Sequence, residues 1–150
     1  MAVLDCCTRE IVGVSVSERA RAVEAEAALE QGCLEQFGLV YAGEEARPVL
    51  GSDNGKVFSS KRFVGRCKQY GLEQEFITPY TPEQNGMIER FFRSLEEECV
   101  WLNNFEDVQQ AKETIQEWVT FYNELRPHQS LGYLSPNEFR QQLDLSLHVA

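Results

Sequence analysis

Two acidic residues stand where a carboxylate can do chemistry. Asp53 follows Leu50-Gly51-Ser52 and precedes Asn54-Gly55, so it lies where a short apolar strand ends and the chain turns. In open α/β sheets ligands collect at the carboxyl ends of strands, and an Asp there projects its carboxylate from a rigid support. Glu89 belongs to Pro79-Tyr80-Thr81-Pro82-Glu83-Gln84-Asn85-Gly86-Met87-Ile88-Glu89-Arg90, a punctuated loop running into a helix that carries Glu89 in its early turns. Taken singly, each has an ordinary reading, an Asp-Asn-Gly turn and a solvated helix acid. Brought side by side, the two would share a hard divalent cation, Mg2+ or Mn2+, which prefers oxygen ligands.

The charge around them is uneven. The whole chain carries a net charge of −10, which taken alone argues against nucleic acid, because phosphate contacts normally come from a basic surface. The stretch from Lys56 to Lys68 nevertheless holds five bases and no acid, and a local basic patch can coexist with an acidic whole. Lys56, Lys61 and Arg62, just beyond Asp53, are placed to meet backbone phosphates or to remain a solvated surface.

The elements that must position these residues follow from hydrophobic periodicity. Ala2 to Leu4 and Ile11 to Val16 read as two strands of a hairpin, joined by a polar turn around Thr8 and Arg9. Ser17 to Phe37 reads as a helix capped by Ser17 and stopped by Gly38, with Val23, Ala27, Leu34 and Phe37 as its apolar stripe. A strand over 48–52, a helix over 60–70 and a strand over 73–77 come next. Pro82 to Trp101 is expected to be helical with Ile88, Phe92, Leu95 and Cys99 inward. Asn104 to Glu124 shows a clearer stripe at Val108, Ala111, Ile115, Trp118 and Tyr122. Ser135-Pro136-Asn137-Glu138 opens a last helix with a capping box. Trp101 and Trp118, both at helical spacing, are expected in the core. Strands feeding helices after an initial hairpin indicate a mixed α/β fold with helices covering a sheet.

Asp53 and Glu89 are 36 positions apart, and this resembles the D-x35-E spacing of retroviral integrases and insertion-sequence transposases. The segments SDNGxxFxS, PYTPEQNGMIERFFRSLEEE and FYNELRPHQSLGYLSPNEF follow, in order, the pattern of the DDE transposase and integrase catalytic core. The resemblance implies a ribonuclease H-like three-layer fold, a mixed sheet flanked by helices, and a single core domain over 1–150. It implies metal-dependent DNA cleavage and strand transfer, with Asp53 and Glu89 as catalytic metal ligands and Asn54, Lys56, Lys61, Tyr80, Asn85 and Arg93 along the DNA. The opening VLDCCTREIVGVSVS is similar to the family's second and third strands, at Asp5, Arg9 and Gly13. On that alignment the first catalytic Asp and the central first strand belong upstream of Asp5, and the chain is N-terminally truncated relative to the family.

Three expectations follow from a missing first carboxylate. Divalent metal is bound weakly or not at all, this chain alone is inactive or nearly so, and the remaining strands expose open edges that a strand-exchanged homo-oligomer would fill. Asp5 replacing the missing acid is a second possibility, and a noncatalytic interaction module derived from a transposase is the rival function. Arg126-Pro127-His128 is assigned a structural role, both side chains hydrogen-bonding the turn. The five cysteines form no CxxC pair and are expected to be reduced and mostly buried, with one of Cys6 and Cys7 exposed. No apolar run is long enough to span a bilayer, and a cytoplasmic location is expected.

Overall fold

The computed structural model describes residues 1–19, 21–38, 48–78, 81 and 85–149, the last three by backbone only. The chain opens with an antiparallel hairpin, β1 (Ala2–Leu4) and β2 (Ile11–Val14). Its turn is built on Asp5, whose Oδ1 accepts the N–H groups of Cys7 at 2.7 Å and Thr8 at 3.0 Å. Arg9 takes the left-handed conformation there, at φ 64°. Because β1 stops at Leu4, Cys6 and Cys7 lie in the turn rather than in a strand, and both are exposed instead of only one. Cys33, Cys67 and Cys99 are buried free thiols.

The next helix, α1 (Ala22–Phe37), starts five residues later than its sequence reading and turns another face inward. Arg21 rather than Ser17 opens it, its main-chain N–H and its guanidinium both donating to the Glu24 carboxylate, and Gly38 closes it at φ 72°. The expected stripe is on the outside: Val23, Leu34 and Phe37 are 44%, 49% and 37% exposed, and Ala27 is exposed too. The buried side consists of Ala25, Ala28, Leu29, Gly32 and Cys33. Close approach to β2 explains the choice. A Cβ added at Gly13 would collide with the Ala28 carbonyl oxygen, and one at Gly32 would stand 3.1 Å from Val12 Cγ2. A helix pressed this tightly on a strand must offer its smallest residues, whatever the larger ones would gain elsewhere.

A β-α-β unit follows. Strand β3 (Val49–Ser52) runs parallel to β4 (Glu73–Phe76), with Val49 opposite Glu73 and Ser52 opposite Phe76. Parallel neighbours require a crossover, and α2 (Lys61–Gln69) supplies it. Ser60 Oγ accepts the Phe63 N–H at 3.2 Å as its N-cap, and Gly71 at φ 77° turns the chain back toward β4.

Helix α3 (Gly86–Glu98) buries Phe91 and Leu95, with Cys99 continuing the same row. Phe92, expected inward, is 37% exposed and lies edge-on to the Phe91 ring at 5.2 Å. The helix ends at Glu98 and passes into a short 3-10 turn, Val100–Leu102, which breaks the stripe, so Trp101 is 68% exposed instead of in the core. Helix α4 (Val108–Glu124), capped by Asp107, buries Ile115, Trp118, Val119 and Tyr122. Helix α5 (Pro136–Val149) starts with the capping box read from the sequence: Ser135 N–H donates to Glu138 and Glu138 N–H to Ser135 Oγ.

The core is in two parts. Ile11 of β2 packs with Phe91, Leu95, Cys99, Ile115, Trp118, Val119 and Tyr122, between the hairpin and α3 and α4. Ala25, Leu29 and Cys33 of α1 pack with Phe63, Cys67, Tyr70 and Leu72 around α2 and β3. Val12 meets α1 and Ile11 meets α4's cluster, so β2 has helices on both faces, a three-layer arrangement. The strands do not form one sheet. Among the described residues, β1 pairs only with β2 and β3 only with β4, which leaves one edge of each of the four strands without a strand partner.

Arg126 and His128 make contacts other than the expected turn hydrogen bonds. Arg126 reaches back to α3, its Nε and Nη2 donating to Glu98 at 2.9 and 2.6 Å, and it lies over the Tyr122 ring. The His128 ring stands edge-on to Tyr122 at 4.7 Å, and its main chain bridges to Leu134.

Candidate functional site

Asp53 leaves the carboxyl end of β3 with its side chain exposed. Its Oδ1 folds back to accept the Gly55 N–H at 2.7 Å, an Asx turn. A Cβ at position 55 would stand 2.7 Å from that same Oδ1, so a larger residue there would push the Asp53 carboxylate out of this turn. Asn54 Nδ2 donates to the Ile77 carbonyl at 2.8 Å and so ties the Asp53 turn to the chain leaving β4. From below, Gln74 Nε2 on β4 donates to the Phe58 carbonyl at 2.9 Å and more weakly to Ser52 Oγ at 3.4 Å. Phe58 is fixed in turn by an edge-on contact with the buried Phe63 ring at 5.3 Å.

Glu89 lies in the first turn of α3, where the helix dipole favours a negative charge. It is exposed, and its Oε1 accepts from Asn85 Nδ2 at 3.2 Å. The N-cap Asn85 makes no capping bond with its side chain and spends its amide on Glu89 instead. Arg93, one turn further on, is exposed and makes no salt bridge among the described residues. Lys56 and Lys61 are likewise exposed. Tyr80 lies outside the described residues.

Arg62 is paired with a buried acid. Its Nε and Nη2 donate to the two carboxylate oxygens of Glu26 at 2.6 and 3.0 Å, and Arg66 stands 3.6 Å away. Glu26 is only 6% exposed, so its charge needs that partner, and hydrogen bonding from Arg62 holds its carboxyl below the ordinary range. Asp5 has both oxygens engaged, Oδ1 by the hairpin turn and Oδ2 at 3.7 Å from Arg140 of α5. That geometry fits a turn residue.

Asp53 and Glu89 each present an exposed carboxylate, the kind of oxygen donor that Mg2+ or Mn2+ takes. Among the described residues no group of three His, Cys, Asp or Glu side chains gathers into a cation-binding arrangement.

An integrase core domain model matches residues 1–82, and a second integrase core domain model matches residues 70–136. The chain belongs to the integrase core domain family. The core is 30% identical over 140 residues to the putative transposase InsK of insertion sequence element IS150 from Escherichia coli K12, covering 93% of this chain and 47% of that protein. It is 28% identical over 141 residues to the transposase of insertion sequence element IS904 from Lactococcus lactis, covering 92% and 53%. The chain thus spans about half the length of these curated relatives. Among solved structures, the catalytic core domain of BIV integrase superposes with a TM-score of 0.67 at 20% identity, covering 98% of this chain and 88% of that one. That likeness fixes the fold as ribonuclease H-like.

The sequence reading of the integrase core missed Gln74. Its signal was there: period-2 alternation sets it on the face opposite Glu73 and Glu75, so an amide was bound to turn toward the body.

Proposed function

We propose that residues 1–150 form one integrase-type core domain serving metal-dependent DNA strand cleavage and strand transfer, with Asp53 and Glu89 as two of the metal-holding carboxylates. The observation that carries this reading is the Asn54 bond to Ile77, because it sets the Asp53 turn against the end of β4, and the chain leaving β4 leads to the first turn of α3 and Glu89. A divalent ion held there supplies activation of a water or a DNA 3′-hydroxyl and offsets charge on the leaving oxygen. Asp53 and Glu89 hold the cation; Asn85 orients Glu89; Asn54, Lys56, Lys61, Tyr80 and Arg93 meet the DNA backbone.

Two carboxylates bind such an ion weakly, so the 150-residue chain alone has little or no activity. Asp5 does not complete the set, its oxygens being committed to the hairpin and Arg140. DNA is the partner, and the working state is a cytoplasmic homo-oligomer whose exchanged strand would pair with the free edges of β1 and β3. Among the described residues no helix is long and apolar enough to cross a membrane.

Titration with Mn2+, followed by paramagnetic broadening of amide signals, tests the metal site. Broadening centred on residues 53–55 and 85–89, lost in Asp53→Asn and Glu89→Gln, is the expected result. If no signal moves at millimolar Mn2+, the noncatalytic interaction module takes the place of this reading.

A further inference from the structure

The side chain of Gln74 meets main chain and side chain on both sides of Asp53. Its Nε2 bonds Phe58 O, five residues after the acid, and approaches Ser52 Oγ, one residue before it. Its Oε1 is buried with no hydrogen-bond partner among the described residues. Rotating the amide by half a turn would aim that oxygen at the Phe58 carbonyl, so the donor assignment is fixed by the acceptor it faces.

A buried amide oxygen left unpaired is a cost that an apolar side chain of equal length would avoid. What glutamine supplies at this place is the donor that an apolar side chain lacks. The bonds it does make clamp the ends of the segment 52–58, within which Asp53 folds back on Gly55. Asn54 clamps the same segment to Ile77 at the other end of the turn. Metal-binding side chains take their orientation from such outer partners, whose loss typically weakens metal binding about 10–100-fold.

We propose that Gln74 is a positioning residue for Asp53, and that it sets the affinity of the carboxylate site for a divalent cation without touching the cation. The affinity half rests on the metal reading of Asp53 given above; the positioning half does not.

Gln74→Met keeps the length of the side chain and removes the donor, and Gln74→Glu is the second variant should Met disturb folding. The Gly55 amide proton reports the Asp53 carboxylate directly, because it is donated to Oδ1. In the native protein its exchange with solvent at fixed pH should be slowed by that bond, a response lost in Asp53→Ala. The donor-less variants, measured where they remain folded, should shrink the Gly55 response and raise the Mn2+ midpoint about tenfold or more. An unchanged Gly55 response in a folded Gln74 variant overturns the proposal. Absence of Mn2+ binding in the native protein would sink the metal reading instead, while the Gly55 response still decides positioning.

Discussion

The side-chain amide of Asn123, on α4, closes a two-bond clamp on the main chain of Ile11, 112 residues earlier: Nδ2 donates to the Ile11 carbonyl and Oδ1 accepts the Ile11 N–H, each at 2.9 Å. An amide has the donor and acceptor spacing of a neighbouring strand, and here it serves as one where β2 bulges away from β1. Because Ile11 is 3% exposed, water cannot replace those bonds. Asn123→Ala should destabilise the protein by about 1–3 kcal/mol, read from chemical unfolding, and Asn123→Asp should do so too by removing the donor. A loss within experimental error for Asn123→Ala would show that the clamp is dispensable.

Gly13 should tolerate no side chain. The atom a Cβ would strike is the main-chain oxygen of Ala28, which cannot swing aside without unseating α1 from β2. Gly13→Ala is expected to cost at least the ~1–3 kcal/mol of an overpacked core, and thermal unfolding would measure it. Gly65 has open space around its Cβ position, and Gly65→Ala, inside α2, is the control that should be neutral or mildly stabilising.

His128 gives a pH dependence whose sign can be worked out. Burial, and then the Arg126 charge, push its pKa down from 6.5 to about 4. The unfolded chain therefore takes up a proton near pH 6.5 while the folded ring resists until about pH 4. Stability from this group is full above pH 6.5 and is lost as pH falls toward 4. The ring is half-buried, so the slope should stay well below the ~1.4 kcal/mol per pH unit of a fully sequestered histidine. His128→Phe retains the edge-on contact with Tyr122 and removes the titration, and unfolding curves at pH 7, 6 and 5 should converge on a flatter profile. Equal slopes for the two proteins would remove His128 from the account.

Thiol labelling should divide the five cysteines by structure. Cys6 and Cys7 are exposed in the hairpin turn, whereas burial pushes the Cys33 and Cys67 thiols up to about 11 and raises Cys99 as well. Mass spectrometry after a short pulse of iodoacetamide at neutral pH should find label on 6 and 7 alone, and on all five after denaturation. Early label on Cys33 or Cys67 would mean that the α1–α2 contact opens readily.

The acid at the strand end, the acid in the helix start, their spacing, and the order of hairpin, helices and β-α-β unit were legible residue by residue. Local rules suffice for these, because turn residues, caps and repeating apolar positions act over a few neighbours. The capping box at Ser135 and the αL stop at Gly38 are instances. What local rules could not decide is which face of α1 turns inward. Val23, Leu34 and Phe37 make the better stripe by hydropathy, yet Gly13 on a distant strand admits only the Ala28 face. The same holds for Trp101, whose place depends on where α3 yields to a 3-10 turn, and for Arg62, whose charge is consumed by Glu26, 36 residues earlier. Sequence alone determined that carboxylates stand at positions 53 and 89, one at a strand end and one in a helix start. The tertiary structure decided what surrounds them, since burial and pairing across tens of residues depend on packing that no single segment contains.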